Sequence, residues 1–496
     1  MAIIMDGPAG KTRKRKSKSE LKSEQISNGH STALLKVNAV PTEHGKEMDK
    51  KLDQHETFEF GGPVGVTAMM LLFPVLMYYL WICLWYYNGK FVHPTSFDDI
   101  RPFFQRMGQH IYEGAYPTKF AWATYLGLTV IQLFLAAIMP GVMQNGLPVP
   151  SLNYAVLPYL CNACWSWYTT LILAYVFHTT GFFRLPWIVE NFGHLMTVAV
   201  LTSYICSGFM DIFARTLHWG GKPLRMSGVW VYDHFMGVSL NPRLGPVDLK
   251  MFAEVRVPWV LLFLIALSGT VKQYEELGRV TPNMLLFLTG SGLYINACAK
   301  AEHMIPQTWD MFHEKFGWML IFWNMAGVPF TYCYPVIALV RAPSMESYEL
   351  SRPLAVICFI TLFTAYYIFD SCMAQKSNFK MQQQGDYHRR YAFPVVPWSV
   401  VENPTYIQTA HGNKLLTSGW WAYARKINYT ADWVQSCMWA ISGGFMTPIT
   451  WFYPVFFLAV LTHRCQRDFE KCARKYGEDW EKYCQVVKWK FIPGVY

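Results

Sequence analysis

Residues 60 to 89 read FGGPVGVTAMMLLFPVLMYYLWICLWYYNG, without one Asp, Glu, Lys or Arg. Such a run exceeds the roughly 20 apolar residues that carry a helix across a bilayer. A second uncharged run, residues 120 to 183, has room for two crossings. Further candidate spans lie near 191 to 210, 257 to 271, 283 to 299, 317 to 340 and 353 to 370, which brings the expected count to eight. Residues 433 to 463 hold Gly443, Gly444, Pro448 and Pro454, so this region is either one interrupted helix or two joined by a tight turn.

Composition agrees with a membrane class: 52% of residues are hydrophobic, 15% are charged, and the mean hydropathy is +0.14. The formal net charge of +10 is partly placed at Lys11, Arg13, Lys14, Arg15, Lys16 and Lys18, within a polar stretch expected to be a disordered tail. A basic tail could address nucleic acid, but beside a membrane anchor it is better read as cytosolic charge, and no nucleic-acid partner is expected. The C-terminal segment is also basic, through Arg464, Arg467, Lys471, Arg474, Lys475 and Lys482. Both termini are therefore expected in the cytosol, which requires an even number of crossings, and ten is the expected number. No apolar core of signal-peptide type is seen before residue 55, so the first span itself is expected to target the chain. The sequon Asn428-Tyr429-Thr430 then falls on the cytosolic side and is read as accidental.

The expected fold is thus an all-α polytopic membrane protein of about ten transmembrane helices with a C-terminal cytosolic-side cofactor pocket. It divides into a tail over 1–55, transmembrane helices over 56–370, and a C-terminal part over 371–496 that includes the last transmembrane helices. Residues 371 to 432 form a polar, aromatic-rich stretch of a size that usually carries function. The chain's 20 Trp and 29 Tyr exceed what interfacial belts need, and many lie inside spans, where helix packing or the walls of a flat apolar ligand would use them.

Gly290-Ser291-Gly292 lacks the third glycine and the preceding strand of a dinucleotide fingerprint, and no phosphate-loop lysine follows a glycine loop. His residues stand singly, so no metal site is expected; Cys161-Asn162-Ala163-Cys164 has no second pair and is read as two small buried thiols. What remains is a polar cluster toward the C-terminus. Lys376 and Lys380 stand four apart just past a span and share a face if helical. Arg425, Tyr429 and Asp432 recur at helical spacing at the edge of the last apolar region, where charge is costly and usually functional, or else an Arg–Asp pair staples helices. The segment from His463 to Tyr483 reads as an amphipathic helix leaving the membrane and ended by Gly477. Its Arg and Lys suit a phosphorylated cofactor and its aromatics suit stacking, unless it is a solvated terminal helix.

These C-terminal motifs resemble the sterol reductase family, with its C-14, Δ7 and fungal C-24(28) enzymes. So does an upstream set: Gly228, Val231-Tyr232-Asp233, Gly237 and Leu240-Asn241-Pro242-Arg243. The resemblance runs from about residue 57 to Tyr496. Within the family, Phe316 to Pro329, Glu59-Phe60-Gly61-Gly62 and Ala297-Cys298-Ala299-Lys300 are similar to the fungal C-24(28) branch. The other branches usually carry an acidic residue and a Trp where Asn324 and Gly327 fall.

The resemblance implies an endoplasmic reticulum enzyme using NADPH to reduce the C-24(28) double bond of ergosta-5,7,22,24(28)-tetraen-3β-ol to ergosterol. Its partners would be the sterol, membrane lipid and other enzymes of the same pathway. It carries the family's NADPH contacts onto Lys376, Leu416, Trp421, Asn428, Tyr429, Asp468, Cys472, Ala473, Arg474, Lys475, Tyr476 and Tyr483. Lys380 departs from the family's usual Arg, keeping charge but losing the planar fork. An isolated alkene accepts hydride only as it is protonated, so an acid must face the cofactor. Asp432 and Tyr429 are the candidate acids, with Arg425 as their support and Glu302 as an outside candidate. A C-14 or Δ7 reductase, or a non-catalytic sterol-binding scaffold, are the alternatives.

Overall fold

The computed structural model describes residues 42–52, 58–342, 348–385, 387 and 392–496, most of them helical. The principal helices in chain order are α1 (Glu43–Leu52), α2 (Gly62–Tyr86), α3 (Ile100–Ala115), α4 (Lys119–Ile138), α5 (Ala163–Thr179), α6 (Phe192–Thr216) and α7 (Leu249–Leu277). They continue with α8 (Pro282–Lys300), α9 (Trp318–Arg341), α10 (Arg352–Gln384), α11 (Ile427–Ile441), α12 (Phe452–Tyr476) and α13 (Glu478–Val486). Strands are confined, among the described residues, to three antiparallel pairs. Val142–Asn145 pairs with Pro158–Cys161, Arg243–Leu244 with Val247–Asp248, and Tyr406–Gln408 with Lys414–Leu416.

Local chemistry sets the helix ends. Gly61 and Gly62 both take positive φ, a conformation a side chain resists, and turn the chain into α2 with Pro63 in its first turn. Thr118 and Thr281 cap α4 and α8, accepting from the Ala121 and Met284 amides at 3.1 and 3.4 Å. In α9 a π-helical turn over Trp323–Gly327 interrupts the α pattern, within the segment that resembles the fungal C-24(28) branch.

Six helices among the described residues, α2, α4, α6, α7, α9 and α10, are long and apolar enough to cross a membrane. In α7 and α9, 83% of the most apolar window is buried, against 33% and 28% in α2 and α4. The first pair therefore forms the centre of the bundle and the second its periphery. The outer faces present Leu71, Val75, Phe134, Ile172 and Ile360, a surface that lipid would cover.

Four helices in segments expected to span, α5, α8, α11 and α12, fall outside that set of six. The region 433 to 463 resolves into two helices. α11 ends at Ile441, the chain turns through Gly443 and Gly444, and a short 3-10 turn over Pro448–Trp451 starts α12. The polar stretch from 371 begins as helix, because α10 continues to Gln384. Of the tail expected to be disordered, residues 1–41 lie outside the described residues, while residues 43–52 form α1. That departure has a cause in Asp49, which is buried against partners from the far end of the chain.

Candidate functional site

The C-terminal half of α10, the pair of strands over 406–416, the start of α11, the end of α12 and α13 converge on one polar cluster. Lys376 and Lys380 lie on the same face of α10, as their spacing requires. The Lys376 ammonium sits 4.0 Å over the Trp421 ring, and the Trp421 indole donates to the Cys372 carbonyl at 2.8 Å. Leu416 and Phe379 pack on the same ring. Lys380 donates to the Gln307 carbonyl at 3.2 Å.

From the facing side, Asp468 pairs with Lys426 at 2.5 Å, and Lys426 lies 5.2 Å from the Tyr429 ring centre. Sequence reading did not select Lys426. Burial opposes its charge, but Tyr429 and Asp468 favour it and hold its pKa above the usual lysine value. Cys472, Tyr476 and Tyr483 pack together with Trp480, and Tyr476 accepts from Asn413 at 3.1 Å. Ala473 and Arg474 instead face outward and are exposed. The cluster thus gathers the ammonium groups of Lys376, Lys380 and Lys426 around Asp468, with Lys475 next to Lys380 and flat rings beside them. Excess positive charge with aromatic faces fits a phosphorylated, ring-bearing cofactor.

Lys475 leads to α1. Its ammonium lies 3.1 Å from Asp49, which also meets His411 Nε2 at 2.9 Å and receives a hydrogen bond from the Tyr154 hydroxyl at 3.3 Å. Burial raises the pKa of Asp49, but His411 and Lys475 outweigh it and hold the carboxyl below its usual range. A segment before the first span thereby supports the pocket.

Deeper along α11 the chemistry changes. Asp432 is buried; the Tyr294 hydroxyl, from α8, donates to its Oδ2 at 3.4 Å, and its Oδ1 has no partner among the described residues. Aromatic rings wall this place. Tyr294 lies against Trp259 at 4.4 Å, Phe369 at 5.9 Å and Trp439 at 5.7 Å, and Tyr453 stacks on Tyr332 at 3.6 Å. Nothing in the sequence distinguishes Tyr294 from the other tyrosines, since its role depends on how α8 packs on α11.

The expected stack of Arg425, Tyr429 and Asp432 does not form. Helix α11 begins at Ile427, so Arg425 lies before it. Its guanidinium donates to the Lys488 carbonyl at 3.3 Å and covers the Phe469 ring at 4.9 Å; no bond to Asp432 exists among the described residues. Tyr429 is half-buried against Phe491 at 6.0 Å. Glu302 is paired with Arg256 at 2.8 Å and accepts from the Ala163 amide at 2.7 Å.

A cation-rich cluster at the start of α11 and a buried carboxyl with aromatic walls further along the same helix suit reduction of an apolar ligand. Residues 54–496 match the model of the Ergosterol biosynthesis ERG4/ERG24 family. The chain belongs to this family. It is 41% identical over 90% of its length to a Delta(24(24(1)))-sterol reductase of Gibberella zeae, covering 74% of that protein. It is also 41% identical to Delta(24(24(1)))-sterol reductase erg4A of Aspergillus fumigatus, over 91% of this chain and 94% of that one. A Delta(14)-sterol reductase of Dictyostelium discoideum is 32% identical over 91% of this chain and 94% of its own. The family is one of sterol reductases, and the apolar helices described above place this member in a membrane.

Proposed function

We propose that this chain reduces the C-24(28) double bond of ergosta-5,7,22,24(28)-tetraen-3β-ol to give ergosterol, using NADPH, in the endoplasmic reticulum membrane. The observation that carries the reading is the continuity of one helix, α11, between the two chemistries: its start borders the cation-rich pocket and its middle holds Asp432 among aromatic rings. The likeness of residues 316–329 to the fungal C-24(28) branch and the 41% identity to two Δ24(24(1)) enzymes support the choice of bond. A Δ14 relative at 32% marks the alternative, C-14 reduction.

Lys376, Lys380 and Lys475 would hold the cofactor's phosphates, with Lys426 and Asp468 fixing the pocket between them. Trp421, Tyr476 and Tyr483 offer ring faces, and Asn428 offers a buried Oδ1 that has no partner among the described residues. When bound, the nicotinamide supplies hydride. Asp432 gives its proton to the terminal methylene carbon; the O–H bond breaks as the C–H bond forms. The resulting allylic tertiary cation is held by the faces of the surrounding rings, an attraction strengthened by desolvation. Tyr294 fixes the carboxyl from one side. On this reading residues 56–370 supply most of the sterol's surroundings and residues 371–496 the cofactor's.

Deletion of the gene in a fungal host, with sterols profiled by mass spectrometry, tests the assignment. Accumulation of the 24(28)-methylene tetraenol, reversed by wild type and not by Asp432→Asn, is the expected result. Accumulation of a Δ14 sterol would move the activity to the other bond. An unchanged profile would remove the reductive role.

A further inference from the structure

Asn428, Asp432 and Gln435 follow one another at intervals of four and three along α11, so they share a face. All three present buried oxygen or nitrogen atoms with no hydrogen-bond partner among the described residues: Oδ1 of Asn428, Oδ1 of Asp432, and both Oε1 and Nε2 of Gln435. Gln435 is 1% exposed. A buried primary amide with neither end satisfied is rare in a folded protein, because each unmet group forfeits the hydrogen bonds it made in water. Asn428 borders the cofactor pocket and can be met there. Gln435 lies on the other side of Asp432, one turn further along α11, and the hydrocarbon side chain of the proposed sterol offers an amide nothing to bond.

The next polar atom on this face closes the series. Trp439 Nε1 is also without a partner among the described residues, but its ring packs on Gly290, where an added Cβ would lie 2.4 Å from that nitrogen. No room for a polar ligand remains there.

Asp432 has a need that Gln435 can meet. Each turnover leaves it a carboxylate, and it must regain a proton before the next. The titratable groups facing it are Tyr294 and Cys298 from α8, Tyr332 from α9, Cys372 from α10 and Tyr453 from α12, with no charged side chain among them. Tyr294 occupies Oδ2. Reprotonation is therefore left to Oδ1, from solvent.

We infer that Gln435 is a positioning residue that holds a buried water against Oδ1 of Asp432, and that this water returns the proton after each turnover. The inference rests on Asp432 being the acid. A primary amide has the groups such a water needs. Its N–H donates to the water oxygen, its carbonyl accepts one water hydrogen, and the other hydrogen points to the carboxylate. As that proton passes to Oδ1, the water takes another from solvent and is not consumed. Per cycle one solvent proton reaches the sterol carbon by way of Asp432, which balances the hydride gained from NADPH.

The test compares the first turnover with the steady state in the full-length enzyme, with Gln435→Met, which keeps the volume and loses the hydrogen bonds. Because Asp432 starts protonated, the first turnover should run at the wild-type rate. The steady-state kcat should fall at least about tenfold and its solvent deuterium isotope effect should rise, with KM for NADPH unchanged. Gln435→Glu, which keeps shape and hydrogen-bonding oxygens, should recover turnover over the Met variant; if Gln435→Met does not fold, loss of the isotope-sensitive step in Gln435→Glu would count against the relay. Equal slowing of first and later turnovers, or a raised KM for NADPH with an unchanged isotope effect, would overturn it by making Gln435 a ligand contact. Wild-type kinetics would overturn it outright. Failure of the underlying reading is separable, because only that failure leaves Asp432→Asn turning over.

Discussion

The Tyr294 hydroxyl is the one hydrogen-bond donor that the described residues offer to Asp432, and it reaches only Oδ2. Tyr294→Phe removes that bond and leaves the ring packing in place. A hydrogen bond to an ionisable partner is worth about 1.5–3 kcal/mol, so turnover should fall roughly 10- to 100-fold while NADPH binding, measured by fluorescence titration, stays unchanged. A large loss of NADPH affinity would show that the ring supports the pocket and not the carboxyl. At the cofactor end the telling residue is Lys380. Beside its bond to the Gln307 carbonyl it offers a point charge, where a guanidinium could engage two phosphate oxygens. Lys380→Arg should lower KM for NADPH by a few-fold, and Lys380→Ala should raise it and narrow the preference over NADH. Unchanged preference in Lys380→Ala would take this lysine out of phosphate binding. These residues differ in how legible they were. Asp432, Lys376 and Lys380 declare themselves because charge beside a membrane span is costly, whereas Tyr294 and Lys426 acquire meaning only from neighbours far away in sequence, and Gln435 only from the burial of its unmet amide.

Helix α1 has ten residues, too few to stand alone in water, and it holds its place through Asp49 and the bonds of Thr42 to the Ala410 and His411 carbonyls at 2.9 and 3.1 Å. With the Asp49 pKa held below its ordinary value of about 4, the stabilisation is fully present above that value and is lost as pH falls through the lower, folded one. Hydrogen exchange over residues 43–52 should therefore be slow at neutral pH and accelerate only below about pH 4, and Asp49→Asn should show the fast exchange already at pH 7. Protection that persists in the variant would mean that packing alone holds the helix. A segment read from composition as tail was illegible as an element, because nothing nearby in sequence pairs with Asp49; its partners are His411 and Lys475. Arg425 fails in the opposite direction. Its spacing to Asp432 is helical, but the helix starts two residues later, and the C-terminal carbonyls of Lys488 and Trp489 claim it. Six of the expected apolar spans were legible, since the length of an uncharged run needs no partner to be read.

In the whole molecule, the connections between the ten long apolar or partly apolar helices sort to two ends. At one end, Glu59 before α2 pairs with Lys471 of α12 at 3.2 Å, Tyr154 before α5 and His411 before α11 meet Asp49, and Gln307 after α8 meets Lys380 near the end of α10. At the other, Gly89 after α2 accepts from Thr447 before α12 at 2.6 Å, and Arg184 after α5 pairs with Glu275 of α7 at 2.5 Å. Arg279 after α7 pairs with Glu349 before α10 at 2.8 Å. The connections named fall at alternate ends, the pattern that ten crossings require, and on this ground we propose ten spans, although among the described residues six helices meet the length and hydropathy for one. The first end carries the lysine-rich cluster, and from the bias of positive charge we propose that it faces the cytosol, with both chain termini. Tags at the two termini should then be equally accessible after selective permeabilisation of the plasma membrane. A glycosylation sequon placed in the loop after α2, within residues 87–99, should be modified, and Asn428 should not. Modification at Asn428 would put the cation-rich pocket in the lumen, away from cytosolic NADPH, and would sink both the topology and the proposed supply of reductant at once.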